Sequence, residues 1–81
     1  MPYYFYLARC SDGSLYAGYC TDLTAREQAH NAGKGAKYTR SRCPVTIVYH
    51  ETFADRSAAM RREAEIKRWK KVRKEQLIAE L

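Results

Sequence analysis

An α+β fold is what this sequence predicts: a three-stranded antiparallel sheet flanked by about three helices, in the order ββαβαα. The first observation behind it is Tyr4–Gly18, YFYLARCSDGSLYAG, where aromatic and apolar residues alternate on both sides of Asp12-Gly13. Alternation around Asp-Gly is the strongest short-range hairpin signal. The second is Val45–Phe53, VTIVYHETF, whose β-branched and aromatic residues read as a third strand. The third is the stretch after Asp55, where apolar residues recur at helical spacing.

The hairpin takes residues 3–10 and 14–20, and its loop decides which side chains meet. A two-residue loop at Asp12-Gly13 pairs Cys10 with Leu15 and sends Tyr6 and Tyr16 to opposite faces. A three-residue loop, Ser11-Asp12-Gly13 with Gly13 left-handed in a bulge, pairs Cys10 with Ser14. In that register Tyr6, Ala8, Tyr16 and Gly18 line one face, and Phe5, Leu7, Leu15 and Ala17 the other. It sorts apolar from polar better, and a one-residue slip would undo it. The three-residue loop is therefore expected.

After the hairpin, Thr21-Asp22 offers an N-cap to a short helix over 23–31. Ala25, Ala29 and Ala32 form a small-residue face suited to close packing, with Leu23, Arg26, Glu27 and His30 on the opposite side. Asn31-Ala32-Gly33 stops this helix, and a basic loop over 33–44 ends at Pro44. Asp55 or Ser57 caps a second helix running to about Trp69. A third covers 71–81, with Val72, Leu77, Ile78 and Leu81 expected to face inward.

An 81-residue chain, 46% hydrophobic, supports one small domain over 1–81 and a modest core. The net charge of +6 suits a polyanionic partner, most simply nucleic acid. Three cysteines without a C-x-x-C pair suggest reduced thiols in a cytoplasmic protein, not a disulfide framework or zinc site. The N-terminal residues show no signal-peptide pattern, and no membrane span is expected.

Chemistry concentrates in a few places. At 100° per residue, Ala59, Glu63 and Ile66 fall within about 60° of one another, so Glu63 lies on an apolar stripe while Glu65 points to solvent. A carboxylate there needs a cation or hydrogen-bonding partners. Two readings follow: a salt bridge, to Arg26 or Lys67, or a metal ligand, since one carboxylate with phosphate and water suffices for Mg²⁺. Arg26 and His30 stand at i and i+4 on the first helix, a spacing found more often on solvated surfaces than in sites. Tyr3 and Tyr49 read as packing residues. Lys34, Lys37, Tyr38 and Arg40 mix charge and aromatic surface in a glycine-containing loop, suited to phosphate contact and base stacking. Lys67, Lys70 and Lys71 belong to a second basic cluster around Trp69 and Val72.

Taken together, the residues resemble the GIY-YIG nuclease superfamily. Tyr4-Phe5-Tyr6, nine residues and then Tyr16-Ala17-Gly18 resemble its paired triplets. Arg26 stands where that family has its catalytic arginine, His30 matches its usual His or Tyr, and Glu63 in MRREAEIK matches its metal-binding glutamate. HNAGKGAKYTR and DRSAAMRREAEIKRW are similar to the small stand-alone members, and the resemblance covers essentially the whole chain.

That resemblance implies a GIY-YIG endonuclease-like fold and a metal-dependent nucleic-acid endonuclease that hydrolyses phosphodiester bonds in DNA repair or processing. The catalytic set would be Tyr6, Tyr16, Arg26, His30 and Glu63, with Glu63 holding one Mg²⁺ or Mn²⁺. DNA is expected ahead of RNA, and either tyrosine could serve as general base. Two departures stand out: Tyr19 occupies a place where some members carry lysine, and no asparagine follows Asn31. Both favour the alternative, a non-catalytic nucleic-acid-binding module on the same scaffold.

Overall fold

The computed structural model describes residues 1–80. Its elements are β1 (Tyr3–Arg9), β2 (Leu15–Cys20), α1 (Leu23–Asn31), α2 (Lys37–Arg40), β3 (Thr46–Phe53), α3 (Arg56–Lys67) and α4 (Lys71–Ala79). The strands form one antiparallel sheet in the order β2-β1-β3, which leaves β2 as an open edge. The expected architecture is present, with one helix more than expected: α2, a single turn inside the basic loop.

The β1–β2 loop has the three-residue form. Cys10 N donates to Ser14 O at 2.9 Å, and Gly13 adopts φ +84°, a conformation that side chains disfavour. Tyr6 pairs with Gly18 and Ala8 with Tyr16, so the two tyrosines share a face. Between β1 and β3 the pairing passes from Leu7↔Tyr49 to Ala8↔Ile47, skipping Val48. This bulge explains why Ile47 and Tyr49, two residues apart, pack on opposite faces of the sheet.

Each face has its own core. Tyr6, Ala8, Cys10, Cys20 and Val45 are buried on the side covered by α1 and α2, with Leu23 packed against them. Phe5, Leu7, Ala17 and Ile66 are buried on the side covered by α3 and α4, joined by Trp69, Leu77 and Ile78. Asp22 and Asp55 cap α1 and α3, accepting from the Ala25 and Ala58 amides at 3.0 and 2.8 Å.

Two packing expectations fail. In α1 the alanine face does not pack: Ala25 and Ala32 are exposed, and the Leu23, Arg26, Glu27 and His30 side turns to the sheet. The polar residues can turn inward because partners wait there. Glu27 accepts from the Ile47 amide at 2.7 Å, and His30 is hydrogen-bonded at both ring nitrogens. In α4, Val72 is 65% exposed, whereas Leu77 and Ile78 do face the core. Leu77 and Ile78 lie about 140° and 240° round the helix from Val72, so the face that packs turns Val72 to solvent. Leu81, also expected inward, lies outside the described residues.

Candidate active site

The site is built round Tyr6. Its side chain is 1% exposed and crosses directly over Gly18 on the neighbouring strand. A Cβ at Gly18 would lie 2.6 Å from the Tyr6 hydroxyl oxygen, so the last residue of the second triplet is glycine because the tyrosine of the first occupies that space. The Tyr6 hydroxyl lies 2.7 Å from His30 Nε2. On the far side of the ring, His30 Nδ1 lies 2.8 Å from Thr39 Oγ1, which in turn is 3.1 Å from Ala36 O.

This chain of contacts has a direction. Ala36 O can only accept, so satisfying all three bonds requires Thr39 to donate to it and His30 Nδ1–H to donate to Thr39. His30 Nε2 then carries the lone pair and accepts from the Tyr6 O–H. Burial, aided by the charge on Arg26, holds His30 below the ordinary histidine value and therefore neutral near pH 7. Burial likewise pushes the Tyr6 hydroxyl well above the ordinary tyrosine value, with Arg26 pulling the other way.

Thr39 and Gly35 are the residues sequence reasoning missed. Gly35 backs the imidazole so closely that a Cβ there would lie 2.1 Å from His30 Nδ1. The available signal was the pair of glycines in NAGKGAKYT, which marks close approach of backbone to something bulky. The loop is pinned for this purpose. Asn31 exchanges hydrogen bonds with the backbone of Val45 at 2.8 and 2.7 Å, and the Ser11 amide donates to Arg42 O at 2.9 Å.

Tyr16 is half-buried, its ring edge-on to His30 at 5.4 Å between centroids and stacked on Tyr38 at 5.9 Å. Arg42 covers the Tyr38 ring at 4.0 Å and also pairs with Asp12 in the hairpin loop. Tyr38 is thus engaged within the protein, with 39% of its surface left exposed.

Tyr6, Tyr16, Arg26 and Glu63 all line one cleft of about 490 Å³, joined by Gly18, Tyr3, Tyr19 and Arg56. His30 stands behind Tyr6 and is fully buried. The cleft wraps round the open edge of β2: Tyr6 and Tyr16 come from the α1 side, Glu63 and Arg56 from α3 on the other. Among the described residues Glu63 makes neither an ion pair nor a hydrogen bond, so the expected alternative of a salt bridge to Arg26 or Lys67 is absent. Glu65, by contrast, pairs with Arg62 at 2.8 Å on the outer side of α3.

Of the expected nucleic-acid contacts, Lys34, Lys37 and Arg40 are exposed on the α1–β3 segment beside the Tyr38–Tyr16 stack. Lys67 places its ammonium 5.8 Å from the Tyr16 ring centroid. Lys70 precedes α4 and is exposed, while Lys71 is paired with Glu75 at 2.8 Å. Tyr49 packs edge-on against Phe5, as expected of a packing residue, whereas Tyr3 lines the cleft.

The fold and the cleft that joins its two tyrosine triplets agree with the GIY-YIG resemblance read from the sequence. Residues 2–76 match the model of the GIY-YIG catalytic domain, and the chain belongs to that family. Its relatives include a UPF0213 protein of Bacillus pumilus, 52% identical over 98% of this chain and 81% of that one. Another, from Staphylococcus haemolyticus, is 53% identical over 96% of this chain and 95% of that one. The solution structure of a UPF0213 protein from Bacillus halodurans superposes with a TM-score of 0.62 at 46% identity, over 98% of this chain and 84% of that one. A second solution structure, of an E. faecalis protein, gives 0.64 at 42% identity over the same shares.

Proposed function

We propose that this protein is a divalent-metal-dependent endonuclease that hydrolyses phosphodiester bonds, acting on DNA in repair or processing. The observation that carries this reading is the convergence of Tyr6, Tyr16, Arg26 and Glu63 on one cleft, with the Tyr6 hydroxyl already bonded to a neutral, oriented histidine. The three cysteines are all free thiols, which supports a reducing compartment such as the cytoplasm. No helix among the described residues is long and apolar enough to cross a membrane.

No cluster of three or more ligating side chains occurs among the described residues, so a metal would have to be held mainly by one carboxylate. Glu63 fits that role, as an uncompensated carboxylate facing the cleft, with substrate phosphate and water completing the shell. A Mg²⁺ or Mn²⁺ ion there would polarise the phosphate and stabilise the leaving oxygen.

The remaining steps belong to the protein. Arg26 faces the same cleft and neutralises charge building on the phosphate. Tyr6 is the base, because its proton has somewhere to go. Transfer from an unperturbed tyrosine to an unperturbed histidine is uphill by about 3.5 pKa units, or roughly 5 kcal/mol. The buried environment widens that gap, so a free tyrosinate is not the resting form. Tyr6 instead accepts a proton from water as its own passes to His30 Nε2, and Thr39 steadies the imidazolium through Nδ1–H. Even a turnover of one per second allows a barrier of about 17 kcal/mol, so the relay is affordable. Tyr16, held by Tyr38, orients the attacking water. Lys34, Lys37 and Arg40 contact backbone phosphates at the rim.

The test is a nicking assay on branched, flapped and single-stranded DNA, with Mg²⁺, Mn²⁺ or a chelator. Cleavage that requires the ion and disappears in Glu63→Gln is expected. Binding without cleavage under every metal condition would replace the enzyme by a nucleic-acid-binding module.

A further inference from the structure

Helix α3 carries more toward the cleft than its glutamate. Arg56 and Glu63 both line it, and Lys67 reaches the Tyr16 ring. These positions are seven and four residues apart, which places the three side chains within about 60° on one side of the helix. Along the axis they lie roughly 10 and 6 Å apart. The stripe therefore reads cation, carboxylate, cation, parallel to the open edge of β2.

Those two cations stand apart from most of the protein's strongly anchored ones. Arg9 and Lys71 are tied to Glu75, Arg42 to Asp12, and Arg62 to Glu51. Arg73 lies on the Trp69 ring at 3.9 Å. Arg56 has only the Tyr19 hydroxyl, which accepts from it at 3.3 Å, and no carboxylate partner among the described residues. Lys67 and Glu63, with glutamate N-terminal at i,i+4, have the favoured order for a helix ion pair and yet do not form one. Next to Lys67, Lys74 is partly buried, and its ammonium is held below the ordinary lysine value by burial and by the Lys67 charge. Like charges crowded there, with no acid between them, suit a bound anion.

Resting on the nuclease reading, we propose that Arg56 and Lys67 grip the backbone phosphates on either side of the one beside Glu63. A single strand then lies along α3, beside the edge of β2. Tyr19 positions Arg56 through its hydroxyl. Specificity of cut position would come from this three-point track, while the more distant Lys34, Lys37 and Arg40 add general attraction.

A fluorescent single-stranded 20-mer, titrated in chelator over a range of salt, tests the track without requiring catalysis. Arg56→Ala and Lys67→Ala should each weaken binding about three- to tenfold and flatten the salt slope by about 0.7, the loss of one phosphate contact on a single strand. Arg61→Ala and Arg68→Ala alter exposed arginines, one in the same helix and one at its C-cap, that face the Trp69 side, and should leave the slope unchanged. Thermal melts establish that the variants fold, as expected for exposed positions. In the metal-dependent assay, a neutral methylphosphonate on one flank of the cut site should abolish the effect of one substitution but not the other. If all four variants shift the slope alike, or neither Arg56→Ala nor Lys67→Ala does, the track is wrong. Cleavage lost only in Glu63→Gln would then leave the nuclease reading standing.

Discussion

On the α3 side of the sheet, Phe5, Leu7, Ala17 and Ile66 meet as apolar surface, and charges stay at the rim in pairs such as Arg62–Glu51. On the α1 side, Tyr6, His30 and Thr39 bury hydroxyls and an imidazole in the middle of the packing. The first face is held by area, which tolerates small errors of position. The second is held by directional bonds, each needing its partner, and no buried side-chain polar atom among the described residues lacks one. Such a face specifies geometry more tightly than it stabilises, which is what the proposed proton relay requires. The directional network and the lone carboxylate thus reach the cleft from opposite sides of three strands.

The largest effect that would sharpen this division concerns the residue bridging the two sides. Glu63→Gln should lower metal-dependent cleavage by about two to three orders of magnitude, the range for losing a group that stabilises transition-state charge. Its melting temperature should stay near that of the parent, because Glu63 has no partner to strand. A large stability loss in that variant would break the comparison by making Glu63 structural. Next, Ile66→Ala opens a cavity in the apolar face and should cost about 2–5 kcal/mol by denaturant unfolding, with activity retained at low temperature.

Thr39→Val is the matching change on the polar face. It removes the acceptor for His30 Nδ1–H while keeping the shape, and should cost about 1–3 kcal/mol. Activity should fall as well, and nitrogen NMR of the imidazole should report a mixture of tautomers. Unchanged tautomer signals in that variant would dismiss the directed hydrogen-bond chain.

pH separates the faces again. His30 is held below 6.5, so the unfolded chain takes up its proton first, and stability should decline as pH falls through that value. Arg9, then Lys71, lowers the Glu75 carboxyl to about 2. Its contribution is present above the ordinary 4.5 and is lost only between there and about pH 2. Melts in buffers from pH 8 to 3 should therefore show the histidine loss first, and His30→Gln should erase it. The smallest effect is expected for Glu75→Gln at pH 7, no more than about 1 kcal/mol, since both partners are partly exposed.

Much of the architecture was legible in the chain because it rests on local rules. Asp12-Gly13 dictates the loop, the loop dictates the register, and the register puts Tyr6 and Tyr16 together. Glu63 was legible through a conflict, a carboxylate on an apolar stripe. The packing of α1 was not, because small residues usually mark an interface. Here long-range partners, the Ile47 amide for Glu27 and Tyr6 with Thr39 for His30, reversed the choice. Propensity has no access to bonds between residues 24 positions apart. The exposure of Val72 follows from the choice of Leu77 and Ile78 as the packed face of α4.

Because the cleft closes round the edge of β2, its residues arrive from both ends of the chain, Tyr6 at the start and Glu63 late. A nascent chain that has formed the hairpin, α1 and α2 would hold the Tyr6–His30–Thr39 chain without the carboxylate. A fragment holding α3 and α4 would have the carboxylate without a base. Synthesis and proteolysis alike would therefore leave intermediates with an incomplete cleft, so that the proposed hydrolysis requires the intact fold.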